Sequence, residues 1–318
     1  MTDVRHNAGA VHIPRIKVIV NPAARGGRTA RQWPAISELL KRNDISFDYS
    51  VTEGPGHGID LAKEAVNAGY ETIVAVGGDG TVNEVTNGIV DNDGKGRATL
   101  GIICTGTGRD CIRSLNIPYD IGKACQLLAD RDCADIDIGR AEFRDGGRKT
   151  RRYYINTAAL GFASAVAERT RCFKSLGGTV PFLIAFSAVF VSYKAKDMAI
   201  DIDGRIRQER SLLVTANNGR YFGGGMKITP DADPCDGLLD IVTVKDVNKL
   251  RLLYNFPKLY RGTHITHPMV DVYKAKFVGV QTSDSLLLQL DGEIVGKAPA
   301  GFSIIPSALR VITGGLHG

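Results

Sequence analysis

Residues 72–90, TIVAVGGDGTVNEVTNGIV, open as a short β-branched strand, turn on Gly77-Gly78-Asp79-Gly80, and continue as a helix from Thr81 to about Ile89. A strand, a glycine turn and a helix in that order form the repeating half of a βαβ unit. The same grammar extends to both sides. IKVIV (16–20) is a strand that Asn21-Pro22 ends; the loop holding Arg25, Gly26, Gly27 and Arg28 leads into a helix reaching Asn43. A strand at 45–51 and a helix at 57–69 precede the quoted stretch, and the buried strand LGIIC (100–104) follows it. Apolar strands alternating with helices predict an open parallel sheet, an α/β domain.

The texture changes near residue 133. Short alternating runs such as ADIDIGRAEF, RYYINTAAL, MAIDIDG and SLLLQLDGEIV follow, punctuated by turn pairs such as Asp203-Gly204 and Asp291-Gly292. They predict a second, mostly antiparallel β-sandwich domain with a helical insertion at about 163–195. The 318 residues suit two domains, and 43% hydrophobic with 23% charged residues excludes disordered and fibrous classes. The 37 glycines, about 12% of the chain, exceed the usual share of about 7% and call for a local reason.

The net charge of +6 is concentrated. Residues 140–152 hold six basic residues against Glu142 and Asp145, and 247–270 contains Lys249, Arg251, Lys258 and Arg261 with no acid. Two patches on a nearly neutral chain fit an anionic membrane surface or a phosphate-bearing ligand better than long tracking of nucleic acid. The first reads equally well as a solvated hairpin. Six cysteines without CxxC or CxxH spacing disfavour zinc and a disulfide framework. The first 14 residues read as a mobile tail without a signal peptide, so the expected location is cytoplasmic. The 19 uncharged residues between Lys174 and Lys194 approach the length of a membrane span. Gly177, Gly178 and Pro181 interrupt them, however, and leave a buried or interface-touching helix of about 14 residues.

Three glycine clusters follow strands of the first domain: Asn21-Pro22 to Gly26-Gly27, Gly77 to Thr81, and Gly106-Thr107-Gly108-Arg109-Asp110. Loops at the carboxyl ends of parallel strands converge on one crevice, and glycine there lets backbone N–H groups approach phosphate oxygens. Asp79 inside such a cradle repels phosphate unless a cation lies between them. Neither GxxxxGK[ST] nor GxGxxG occurs, which disfavours a P-loop NTPase and a dinucleotide dehydrogenase.

GGDGTVNEVTNG (77–88), with NPAARGG upstream and GTGRD downstream, resembles the catalytic domain of the diacylglycerol kinase family, which includes bacterial lipid kinases and sphingosine and ceramide kinases. NNGRYFGGGMKITPDADPCDGLLDIV (217–242) and LQLDGE (288–293) extend the resemblance to about residues 16–313. It implies an α/β nucleotide domain at 15–135, completed by a returning segment at 304–318, and a lipid-substrate domain at 136–303. It further implies ATP and Mg²⁺, with Asn21, Pro22, Gly26, Thr52, Gly77, Gly78, Asp79, Gly80, Thr81, Asn83, Glu84, Gly106 and Thr107 around the nucleotide. Asp79 and Asp110 would organise the catalytic Mg²⁺, and Glu293, beside Asp291, matches the general base that takes the proton of the lipid hydroxyl. A second, structural Mg²⁺ would take backbone oxygens of Asp233 and Leu238 and the Asp236 carboxylate. By spacing alone, Asp236-Gly237 and Asp291-Gly292 read as hairpin turns. Arg109 stands where the family usually has Asn, and could bind phosphate or pair with Asp110.

The expectation is an ATP- and Mg²⁺-dependent kinase acting on a membrane lipid, diacylglycerol foremost, with peripheral contact to an anionic membrane. Candidate apolar surfaces are the 179–193 helix and LRLLYNFPKLYRG (250–262), which Pro257 is expected to break. An NAD kinase-like enzyme on a soluble substrate, a sphingoid or ceramide kinase, and a non-catalytic nucleotide- or lipid-binding regulator remain alternatives. A β-rich second domain leaves strand edges through which two copies can form a homodimer.

Overall fold

The structure, a computed structural model, describes residues 15–172 and 180–316. The tail expected over 1–14 and the Gly177-Gly178 pair lie outside them. Four parallel strands, β1 (Ile16–Val20), β2 (Phe47–Val51), β3 (Thr72–Gly77) and β4 (Thr99–Cys104), lie in the order β2-β1-β3-β4. Alternate side chains enter opposite layers: Ile73 and Ala75 of β3 join one core cluster, Val74 and Val76 another. Burial on both faces is why these strands read as unbroken apolar runs.

The covering helices are α1 (Ala24–Arg42), α2 (His57–Asn67), α3 (Asp79–Ile89), α4 (Asp110–Ser114) and α5 (Ile121–Asp130). The start of α1 is a left-handed turn, with φ of 52°, 64° and 83° at Arg25, Gly26 and Gly27, so the expected basic loop is present inside the span. No element was expected between 105 and 132. The signal for α5 was Asp120, whose carboxylate accepts the Lys123 N–H as an N-cap.

The remaining strands are β5 (Cys133–Asp145), β6 (Arg148–Tyr154), β7 (Thr157–Gly161), β8 (Lys196–Ile202), β9 (Arg205–Asn217), β10 (Leu239–Lys245), β11 (Val270–Ala275), β12 (Phe277–Gln281), β13 (Leu287–Leu290) and β14 (Glu293–Ile312). They pair antiparallel around a core of Phe143, Tyr154, Leu160, Val214, Leu288 and Phe302, among others. The long strand β14 joins the two halves: it pairs with β5 along most of its length and meets β4 in parallel at Val311↔Leu100. The first basic patch is the β5–β6 hairpin, where Arg140 and Arg151 share Glu142 at 3.8 and 3.5 Å.

Inserted helices are α6 (Phe162–Arg171) and α7 (Val180–Ser192), with α8 (Lys249–Arg261) between β10 and β11. Pro181 sits in the first turn of α7, where proline is tolerated. Among the described residues no helix is long and apolar enough to cross a membrane. Pro257 does not break α8, contrary to expectation. Its ring removes one helical bond, to the carbonyl of Leu253, and Leu253 and Pro257 both lie on the exposed side, where water can replace that partner.

Candidate active site

The glycine loops after β1, β3 and β4 meet at one end of the sheet. The second and third are in backbone contact: a Cβ on Gly106 would lie 2.5 Å from the Gly78 Cα. Asn21 ties the first to the second, its side-chain NH₂ donating to Thr81 Oγ1 at 3.0 Å while its side-chain Oδ1 accepts the Ala23 N–H. Thr52 is buried, its N–H donating to Val20 O. Glu84 accepts from Gly56 and Gly58 N–H at 2.8 and 3.0 Å and so holds the start of α2. Asn83 is turned inward and donates to Tyr153 O and to Asp291 Oδ2.

Asp79 and Asp110 flank Gly108. A Cβ there would stand 2.5 Å from Asp79 Oδ2 and 3.9 Å from Asp110 Oδ2, so glycine keeps the space between the carboxylates open. Asp79 accepts the Cys111 N–H at 3.2 Å; Asp110 accepts from Gly224 N–H at 2.7 Å and from Arg113 at 3.1 Å. Gly224 belongs to the glycine-rich 223–225 segment, so Asp110 links the two halves across the cleft. Burial pushes the Asp79 carboxyl up, and burial with the charge of Asp79 pushes Asp110 up to about 7. Two crowded like charges facing the space Gly108 leaves fit a divalent cation. No cluster of three or more His, Cys, Asp or Glu able to hold a metal occurs among the described residues, so phosphate oxygens and water would complete its coordination.

An aspartate that holds its proton to about pH 7 when folded, against 3.8 ordinarily, stabilises the fold below the ordinary value; the contribution fades as pH rises through about 7. Without added metal, stability is therefore expected to fall by about 2–3 kcal/mol between pH 5 and 8. In Asp110→Asn this slope should flatten. Urea unfolding of both proteins across that range checks it, and identical slopes would remove the assigned cause.

Glu293 lines the same opening, its Oε1 3.1 Å from where a Gly80 Cβ would be. It begins β14 directly after Asp291-Gly292, whose φ values of 46° and 89° make the expected two-residue hairpin turn. Asp291 is also an anchor. Its carboxylate accepts from Ile155, Asn156 and Thr157 N–H at 2.9–3.0 Å and from the Asn83 amide at 2.8 Å.

Arg109 does not pair with Asp110. Its guanidinium lies 3.3 Å from the centre of the Tyr119 ring, whose hydroxyl accepts from Arg25 at 3.2 Å, so a cation from the first loop and one from the third converge on one tyrosine. Residue spacing carried no signal for Tyr119. Asp236-Gly237 closes the long 218–238 loop rather than a tight hairpin. Asp236 Oδ1 accepts the Leu238 N–H, Asp233 Oδ1 accepts the Cys235 N–H, and Lys274 lies 2.6 Å from Asp236 and 3.7 Å from Asp240. Lys274 is there because it faces Asp240 across β10 and β11. The chain's own ammonium thus meets the Asp236 charge that the resemblance assigned to a structural metal. A metal on the Asp236 carboxylate would have to displace Lys274.

A cavity of about 940 Å³ opens from this cluster. Asp79, Thr107, Asp110 and Glu293 line it together with Phe162, Val166, Phe186, Met226, Phe256 and Leu259, which come from α6, α7, α8 and the 222–228 loop. That volume is at the upper end of small-molecule sites, about 300–1,000 Å³, and its walls are predominantly apolar.

The sequence model of the diacylglycerol kinase catalytic domain matches residues 15–141, and that of the YegS C-terminal NAD kinase beta sandwich-like domain matches 156–313. The chain is 32% identical over 298 residues to the diacylglycerol kinase of Staphylococcus haemolyticus (strain JCSC1435), covering 93% of this chain and 87% of that protein. With the diacylglycerol kinase of Staphylococcus aureus (strain MRSA252) it shares 33% over 291 residues, 91% of this chain and 89% of that one. A crystal structure of a diacylglycerol kinase from Bacillus anthracis str. Sterne matches with a TM-score of 0.71 at 22% identity, covering 94% of this chain and 97% of that one. Yeast NADH kinase complexed with NADH matches at 0.54 and 11%, covering 96% and 85%. At those identities the two structures speak for the fold alone. With both halves matched and relatives similar over nearly its whole length, this chain belongs to the diacylglycerol kinase family.

Proposed function

We propose that this chain transfers the γ-phosphoryl group of ATP to a hydroxyl of a membrane lipid, diacylglycerol first among candidates. The observation that carries this reading is the single cavity with Asp79, Asp110 and Glu293 at a polar end and phenylalanine and leucine walls beyond. A lipid can keep its chains in apolar surroundings there while its hydroxyl reaches the polar end, as in-line transfer requires. The N-terminal half, 15–135 with the returning 304–318, is the proposed nucleotide side; 136–303 is the lipid side.

In this reading the loops Asn21 to Gly26, Gly77 to Thr81 and Gly106 to Thr107 surround the phosphates, with Thr52 at the rim. Asn83 and Glu84 act by holding the loops, since their polar atoms are committed to Asp291, Tyr153, Gly56 and Gly58. Arg25 and Arg109 supply positive charge. Asp79 and Asp110 would hold Mg²⁺, which when bound neutralises phosphate charge. Glu293 takes the proton from the attacking hydroxyl, and Asp291 fixes the turn that aims it.

Incubation of the purified chain with γ-labelled ATP and Mg²⁺ over diacylglycerol, monoacylglycerol, ceramide, sphingosine, polyprenol and NAD tests the proposal. Label is expected in diacylglycerol at least tenfold above the other acceptors. Label in NAD and in no lipid would overturn it.

A further inference from the structure

Six of the twelve large apolar side chains that stand exposed among the described residues lie on two helices: Ile184 and Val191 on α7, and Leu250, Leu253, Tyr254 and Tyr260 on α8. Leu250 and Tyr254 are 77% and 81% exposed, Val191 72%. The helices are locked together. The Phe186 and Phe256 rings pack at a tilt of 53° with centres 4.7 Å apart, and the Lys249 ammonium donates to the Val191 carbonyl. Their exposed residues therefore form one patch.

Spacing makes that patch a stripe. Leu250, Leu253, Tyr254, Pro257 and Arg261 recur at i, i+3, i+4, i+7 and i+11, one side of α8, while Phe256 and Leu259 on its other side line the cavity. Leu253 and Tyr260 belong to both lists, exposed outside and lining within, so the stripe is the rim of the cavity's mouth. Basic side chains surround it, Lys249, Arg251, Lys258 and Arg261, and residues 247–270 contain no carboxylate.

We infer that the outer face of α8, with the end of α7, docks this protein on an anionic membrane and is the port through which the lipid enters. The inference rests on the lipid-kinase reading for what passes through the port and adds where the protein meets the bilayer. The occupant follows from chemistry. An exposed leucine and tyrosine stripe on a helix that carries four cations and no carboxylate matches an acyl boundary beneath negative headgroups. Continuity of that stripe with the cavity lets a chain leave the bilayer without crossing water.

Two double variants of the full chain test this, both outside the cavity lining: Leu250→Ser with Tyr254→Ser, and Lys258→Glu with Arg261→Glu. Sedimentation with phosphatidylcholine vesicles, with and without phosphatidylglycerol, reads docking. Charge reversal is expected to weaken binding to anionic vesicles by about 30-fold or more and to abolish the difference between the two vesicle types. Removing the apolar pair should cost about tenfold on both. Phosphorylation of vesicle-embedded diacylglycerol should fall in step, whereas a short-chain diacylglycerol dissolved as monomers should be phosphorylated at the wild-type rate, which also certifies the fold.

Wild-type binding by both variants would overturn the docking surface whatever the kinase assay gives. So would a wild-type dimer that Leu250→Ser with Tyr254→Ser converts to monomer, because the stripe would then be an interface between two copies. Vesicle binding lost in the variants, together with no phosphorylation of either lipid by the wild type, would sustain the surface and remove the kinase reading.

Discussion

Glu293→Gln is expected to lower kcat on diacylglycerol about 10³-fold, within the 10²–10⁴ that a positioned general base contributes, with little change in KM for ATP. The amide keeps the size of the carboxylate but cannot take a proton from the attacking hydroxyl. Glu293 lies beside Gly80 in the first turn of α3, in the same cavity lining as Asp79 and Asp110. In the proposed reading a base there would meet the hydroxyl as it attacks the phosphate. Steady-state rates at saturating ATP and lipid, with the same circular dichroism and melting temperature as wild type, check the assignment. A variant retaining more than a tenth of wild-type kcat would place the base elsewhere.

Asp291→Ala is expected to destabilise the protein by about 3–5 kcal/mol, a large part of a typical stability of about 5–15 kcal/mol. Four N–H groups converge on that carboxylate: three consecutive backbone donors at 155–157 and the amide of Asn83. Burial holds the carboxyl above its ordinary value although these four donors pull it down and favour the ionised form. Alanine strands the donors, each costing about 1–3 kcal/mol when buried, and water from the cavity that Asp291 lines relieves part of that total. Asn preserves only one accepting oxygen and turns an NH₂ toward the remaining donors, so Asp291→Asn should recover less than half of the loss. Denaturant unfolding measures this. Because the same carboxylate holds the turn before Glu293, kcat should fall below what the folded fraction accounts for. Stability within 1 kcal/mol of wild type would show that the network is not a keystone.

The readings that held depended on neighbours in sequence. Strand, glycine turn and helix at 72–90 were legible because an apolar run, a run of glycines and a following helix each express themselves over a few residues. The Asp291-Gly292 turn was legible for the same reason, and it is a hairpin turn as spacing suggested. That this turn is also the anchor of the cleft was not legible, because its partner Asn83 is 208 residues away. Pro257 misled for a physical reason: a proline removes one helical bond, and whether that ends a helix depends on solvent at the freed carbonyl. Arg109 left two outcomes open, phosphate or Asp110. Tyr119 draws it away from Asp110, and nothing near residue 109 in the chain announced that ring.

Residue order by itself determined the parallel α/β half, the antiparallel half, the three glycine loops and the acidic residues gathered at them, since local backbone preference and hydrophobic periodicity act over one turn or one strand. Only the tertiary structure decided that Asp79 and Asp110 crowd each other across Gly108, that Lys274 faces Asp236, and that α8 turns one side to the cavity and the other outward. Those outcomes depend on strand register and helix packing, which bring together residues whose separation along the chain carries no record of their distance in space.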